Sequence, residues 1–308
     1  MCYVCNSYET VDSEKIFCFN CKLSEIPTDM LHVKSLTCMF CPNLKKISKE
    51  FVKIKKLYCY DSPNLSEIPK ELVNLITLRC SWSYIQEIPS VFTKLEELDI
   101  SACIHIKTIP KTLINLKHLE CRGCILTEIP QELVNLETLD CTECRYLKPD
   151  GIPKELTKLK ILKCGLTSIQ EIPKEFVNLT HLDCFSSTCL FEIPKEFVNL
   201  EILDCRFCDN LLFIPNLISI KTLHRGGCKN LITVPDMDDL SGCKNLITLH
   251  VNDDLSNNDA YKYFSKRQCA KLVNTILEEL IQRTWHPNRV MEWCWDEDEK
   301  KFMGNYIT

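Results

Sequence analysis

The sequence predicts an α/β solenoid. A curved parallel sheet would line the concave face, with short helical or 3₁₀ turns and loops on the convex face and a helical cap at the C-terminal end. Three observations lead there: an Ile-Pro step recurs at a near-constant interval, apolar and polar residues alternate within each interval, and the periodicity stops near residue 255. The expected organisation is an N-terminal cap over 1–15, a solenoid of about twelve coils over 16–255 and a C-terminal helical cap over 256–308.

The repeat is explicit. Ile-Pro stands at Ile26, Ile68, Ile88, Ile109, Ile129, Ile152, Ile172, Ile193 and Ile214, with Ile47-Ser48 and Val234-Pro235 in the same slot. The mean spacing is about 21 residues. In a representative unit, Leu119 and Cys121 alternate with Glu120 and Arg122, the period-2 pattern of a strand with one buried face. After a turn, Leu126 and Ile129 point inward again. Pro130 lacks an N–H and fixes φ, so the outer side cannot start as an uninterrupted helix and a short helical or 3₁₀ turn is expected instead. One such coil cannot bury its own apolar face, whereas stacked coils share a continuous core. Twelve strands about 4.8 Å apart would span on the order of 55 Å.

The unit L-x-x-L-x-C-x-x-C-x-x-L-x-E-I-P, as in Leu116–Asn135, resembles the leucine-rich repeat, whose core reads L-x-x-L-x-L-x-x-N/C-x-L. The resemblance covers roughly residues 16–255 and implies a horseshoe that recognises partners on its concave side. The Cys- and Ile-Pro-rich style of the repeats, and the tail TWHPNRVMEWCWDEDEKKF, resemble leucine-rich repeat proteins of amoeba-infecting giant DNA viruses. That likeness implies a viral origin and no particular activity.

Of 22 cysteines, sixteen fall into two columns of the repeat. Cys18, Cys38, Cys59, Cys80, Cys121, Cys141, Cys164, Cys184 and Cys205 take the third-leucine slot, where a thiol packs as a small hydrophobe. Three residues on lie Cys21, Cys41, Cys103, Cys124, Cys144, Cys208 and Cys228, in the slot the family fills with Asn or Cys. Its other occupants, including Ser62, Ser83, Thr167 and Ser187, are small hydrogen-bonding residues, which suits a ladder with the thiol as weak donor. The C-x-x-C spacings inside the solenoid therefore arise from the repeat itself. Cys2, Cys5, Cys18 and Cys21 read C-x₂-C-x₁₂-C-x₂-C, close to a four-thiolate zinc site, although the last two also fit the repeat columns.

Two features mark the expected concave surface. Phe17, Phe19, Met39, Tyr58 and Tyr60, with Trp82 nearby, would form an exposed aromatic patch, unless the N-terminal residues fold over it. Asp99, Glu120, Asp140, Asp183 and Asp204 would form an acidic stripe, read either as a solvated face neutralised by Arg122, Lys163 and Arg206 or as a guide for a basic protein segment. Phe185 and Arg206 continue the same face. Beyond the repeat, Phe264, Leu272, Val273, Ile276, Leu277, Leu280 and Ile281 have helical spacing, read as a cap or as a docking surface.

Several classes are disfavoured. A net charge of −5 argues against nucleic acid as the main partner. The longest apolar run is too short to span a membrane, and the start lacks the apolar core of an export signal. With seven glycines and neither a phosphate loop nor a hydrolase or protease signature, no enzyme is expected and no cofactor is called for. The reading is a non-enzymatic, monomeric, cytoplasmic scaffold (in the host cytoplasm if viral) that binds an unidentified protein, a basic one if the acidic stripe guides it. A zinc or redox protein using its C-x-x-C pairs is the rival in another class, and an adaptor docking machinery through its C-terminal helices is a third reading. Metal content and thiol titration separate the first two.

Overall fold

Each coil contributes one short strand because only its L-x-C segment alternates inward and outward before a turn intervenes. A computed structural model describes residues 14–28 and 31–231, together with the backbone of 248–250. The strands are β1 (Lys15–Phe19), β2 (Ser35–Met39), β3 (Lys56–Tyr58), β4 (Thr77–Arg79), β5 (Glu97–Asp99), β6 (His118–Glu120), β7 (Thr138–Asp140), β8 (Ile161–Lys163), β9 (His181–Asp183), β10 (Ile202–Asp204), β11 (Thr222–His224) and β12 (Thr248–His250). They form one sheet in sequence order. Every pairing is parallel and in the register of the repeat. Leu78 faces Leu98, Leu98 faces Leu119, and Leu119 faces Leu139. The expected N-terminal cap, apart from its last residues, and the C-terminal helical cap lie outside the described residues.

The core follows the inward positions. Leu57, Leu78, Leu98, Leu119, Leu139, Leu162 and Leu203 are completely buried, as are the first-column cysteines from Cys18 to Cys205. Phe51, Phe92, Phe176 and Phe197 replace leucine on the convex side and are equally buried. Each inward leucine removed from water contributes roughly 1.5–3 kcal/mol, so the core scales with coil number.

The second cysteine column is a ladder between coils. The thiols of Cys103, Cys144, Cys208 and Cys228 donate to the carbonyls of Cys80, Cys121, Cys184 and Cys205, each in the preceding coil, at 2.9–3.0 Å. Cys124 does the same to Ile100 O at 3.0 Å. Ser187 substitutes its hydroxyl at Cys164 O, 2.9 Å. Ser83 and Thr167 bond within their own coil instead, to Cys80 O and Cys164 O, both at 2.6 Å. First-column thiols also reach a carbonyl, but weakly, as from Cys184 to Asp204 O at 3.3 Å. A ladder of asparagines on the convex side escaped the sequence reading. Asn74, Asn115, Asn135, Asn178 and Asn199 each donate to a carbonyl of the preceding coil, at 2.8–2.9 Å.

The convex face differs from expectation, and the α/β class narrows accordingly. No α-helix occurs among the described residues. After each proline, two successive turns carry the chain across. Leu133 N donates to Pro130 O and Leu136 N to Leu133 O, and the pattern repeats in other coils. The second turn begins where the first ends. The inward leucines three residues apart impose that rhythm, which is too tight for an α-helix.

A second departure follows each strand. Asn20, Phe40, Asp61, Trp82, Ala102, Gly123, Glu143, Leu166, Ser186, Phe207 and Gly227 occupy one column, and all have positive φ, between 46° and 75°. Only two are glycine. The turn is held from outside, since their amides donate to the next coil, as from Ala102 to Arg122 O at 2.7 Å. Left-handed backbone costs a residue with a Cβ about 1–2 kcal/mol. Ala102→Gly should therefore stabilise the protein by about 1 kcal/mol in urea unfolding. Gly123→Ala should destabilise it similarly, because a Cβ there meets nothing within 4 Å and only the backbone effect remains.

Candidate protein-binding surface

Strand alternation sends every second residue to the concave face, and the parallel register aligns them into columns. One column runs Phe17, Thr37, Tyr58, Arg79, Asp99, Glu120, Asp140, Lys163, Asp183, Asp204 and His224, each paired with the next. Two residues further along each chain lie Phe19, Met39, Tyr60, Ser81, Ser101, Arg122, Thr142, Gly165, Phe185 and Arg206. The structure thus brings the predicted residues into one surface.

Their exposure is another matter. Met39 is completely buried, while Tyr58 and Tyr60 are only 3% and 7% exposed. Phe17 and Phe19 are half-buried, and Trp82, at 51%, is the exposed aromatic of the group. The expected exposed patch is therefore mostly an inward-packed cluster. Rings two residues apart in one coil come close together, with a side chain of the next coil beside them. Tyr58 stacks on Tyr60 with centroids 6.3 Å apart, and the Arg79 guanidinium lies 5.9 Å from the Tyr58 centroid. Arg79 Nε also donates to Glu97 at 2.7 Å, and Arg79 Nη1 donates to Tyr60 Oη at 3.4 Å. Phe185 is likewise buried, with Phe207 edge-on at 5.6 Å and Arg206 over its ring at 5.4 Å. Phe40, edge-on to Phe19 at 5.5 Å, and Phe207 were missed because they occupy the left-handed turn, outside the strand alternation.

The acidic stripe is neither fully solvated nor simply available. Asp99, Asp140, Asp183 and Asp204 each turn Oδ1 back to accept the amide two residues on, at 2.9–3.2 Å, from Ser101, Thr142, Phe185 and Arg206. These aspartates close the strand ends as Asx turns do. Asp99 and Asp140 are buried, Asp140 lies 3.6 Å from Lys163 Nζ, and Asp204 holds the Arg206 guanidinium with both oxygens.

Glu120 stands apart. One carbon longer, it has no hydrogen bond or ion pair among the described residues, and its side chain keeps exposed surface. Loss of surrounding water in the concavity, then repulsion from Asp99 and Asp140, push its carboxyl up to about 7 against the opposing pull of Arg79 and Lys163. Water loss and then Asp204 raise Asp183 to about 6, although the Phe185 amide favours its charged form.

The completely buried thiols offer little chemistry, whereas half-buried Cys228 is drawn down to about 7, chiefly by hydrogen bonding with Cys205. Burial holds Cys59, Cys124, Cys141 and Cys164 protonated well above the ordinary thiol range, with neighbouring acidic groups adding to it. Cys18 and Cys21 are buried in the first coil, and the Cys18 carbonyl accepts from Cys41 Sγ at 3.7 Å. Cys2 and Cys5 lie outside the described residues. No group of three His, Cys, Asp or Glu able to hold a metal ion occurs among the described residues, nor does any helix there have the length and apolarity to cross a membrane.

No protein-family model and no curated protein matches the chain. Solved structures do. An internalin (InlF) of Listeria monocytogenes superposes with a TM-score of 0.51 at 19% identity, covering 79% of this chain and 83% of that one. InlJ of the same organism, whose functional domain includes a cysteine ladder, gives 0.58 at 19% identity over 78% of this chain and 58% of its own. YopM, a leucine-rich effector of Yersinia pestis, also gives 0.58 at 19% identity, over 78% and 65%. The fold is a leucine-rich repeat solenoid. This chain spans less than two thirds of the InlJ and YopM structures.

A carboxyl whose pKa rises on folding binds its proton more tightly in the folded chain, so its contribution is complete below pH 4.5 and is lost as pH rises through about 7. Glu120→Gln should thus raise stability by about 1 kcal/mol at pH 8, allowing for solvent screening, and leave it nearly unchanged at pH 4. Thermal melts at the two pH values measure the difference.

Proposed function

We propose that this chain is a non-enzymatic scaffold that binds a basic protein through its concave face. The observation that carries the reading is where the repeat varies. Core positions, both ladders and the convex turns use nearly the same residues coil after coil, because stacking demands them. The concave column instead runs through Tyr58, Arg79, Asp99, Glu120, Asp140, Lys163, Asp183 and His224. Stacking does not require that order, and a rigid sheet presents it at fixed spacing. Fixed, irregular side chains suit recognition of one partner surface, and the acidic excess suits a partner of opposite charge.

The proposal extends to a monomer in a reducing cytoplasm, that of the host for a viral chain. Fifteen cysteines of the described region are buried as core and ladder thiols, which suits such a compartment.

Capture from the native cell, followed by mutagenesis, tests the role of the face. Asp99 and Asp140 cap backbone amides, so reversing them would confuse folding with binding. Glu120→Lys and Trp82→Ala should each weaken partner binding about tenfold or more, while Glu155→Lys on the convex side should change it less than about twofold. Equal retention by all three variants, or equal loss, would exclude the concave face.

A further inference from the structure

We propose that the concave floor over β4–β6 seats an arginine side chain of the partner, its guanidinium held by Asp99 and Glu120 together with the hydroxyls of Ser81 and Ser101. This rests on the concave-face reading above and names the group recognised. The three carboxylates stand on consecutive strands in direct register, Asp99 beside Glu120 and Glu120 beside Asp140. Strands about 4.8 Å apart bring Asp99 and Glu120 within reach of one planar cation, while Asp140 pairs with Lys163.

The second observation is independent of the carboxylates. The Oγ atoms of Ser81 and Ser101 are buried and have no hydrogen-bond partner. Ser81 is 5% exposed. Each follows a column residue by two positions, Ser81 after Arg79 and Ser101 after Asp99, and so shares its face. They make a low floor between Tyr60 and Arg122. Unpaired buried hydroxyls are unusual where any partner could be supplied, and here they adjoin an uncompensated acidic group.

Charge accounting favours a cation. Arg79 is engaged by Glu97 and Tyr60, and Lys163 sits at the far edge beside Asp140. With Asp140 paired to Lys163, Asp99 and Glu120 are left with Arg122 on the β6 face, an excess of one carboxylate. A bound cation would offset the repulsion from Asp99 and Asp140 that adds to water loss in raising the Glu120 carboxyl. Guanidinium suits the site better than ammonium, because its five N–H donors in one plane match acceptors spread over three strands. Trp82, exposed at the neighbouring turn, offers a ring for its face.

A hexa-arginine peptide serves as probe, with affinity measured by calorimetry at pH 7.5 and each variant's thermal midpoint recorded beside it. Glu120→Gln should weaken binding about tenfold. Ser81→Ala should weaken it about fivefold while raising the midpoint, since it removes an unpaired buried hydroxyl. Glu155→Gln, an equal charge change on the convex side, should stay within about twofold, and hexa-lysine should bind more weakly than hexa-arginine. The seat is refuted if hexa-arginine does not bind, if Glu155→Gln weakens binding as much as Glu120→Gln, or if Ser81→Ala leaves affinity unchanged. If the native partner still needs the concave face while the probe fails, the arginine seat falls and the scaffold reading stands.

Discussion

The parallel pairing of each strand with the same residues one coil later is the constraint on which everything else depends. It fixes the distance between coils and turns a position in the repeat into a column in space. Leucines of the first column then meet leucines, and second-column thiols meet the carbonyls of the preceding coil. A thiol is a poor donor in general. Here it suffices because the carbonyl it serves is buried, and an unserved buried carbonyl would cost more than the bond itself yields. Cysteine fits both columns for different reasons: in one it is a small apolar volume, in the other a donor of the right length.

Much of this was legible in the sequence because periodicity survives translation into structure. The Ile-Pro step and the Leu-x-Cys alternation pointed to the strand order and the register, and the second cysteine column, with the family resemblance, to the ladder. What was not legible depends on neighbours rather than on phase. Tyr58 and Tyr60 alternate outward as predicted, yet they are buried, stacked on each other within one coil with Arg79 of the next coil over the Tyr58 ring. The left-handed turn is announced by Asn20, Asp61, Gly123 and Gly227, residues that tolerate it. Phe40, Trp82, Leu166 and Phe207 give no such signal, because the next coil's carbonyl, not their own propensity, holds the backbone there. The convex segments were expected to turn helically and instead make paired turns, since leucines three residues apart must all point inward.

The candidate site was read with the right residues and the wrong emphasis. The aspartates of the stripe spend an oxygen on their own strand ends, a role hinted at by their place two residues before the amide they accept. That leaves Glu120, whose longer side chain makes no such closure, as the charge most available to a partner. Likewise Ser81 and Ser101 drew no notice as small polar residues in a repeat, and only their burial without a partner gives them meaning. In a solenoid, stacking dictates most positions, and information about function collects where stacking is indifferent.

The central claim is that the cysteines are structural members of a stacked parallel sheet. Titrating the folded, fully reduced protein with a thiol reagent tests it directly. Fifteen of the 22 thiols are buried in the solenoid, so no more than the other seven should react before unfolding, and all 22 should react in denaturant. Prompt reaction of most thiols in the folded chain would contradict the account.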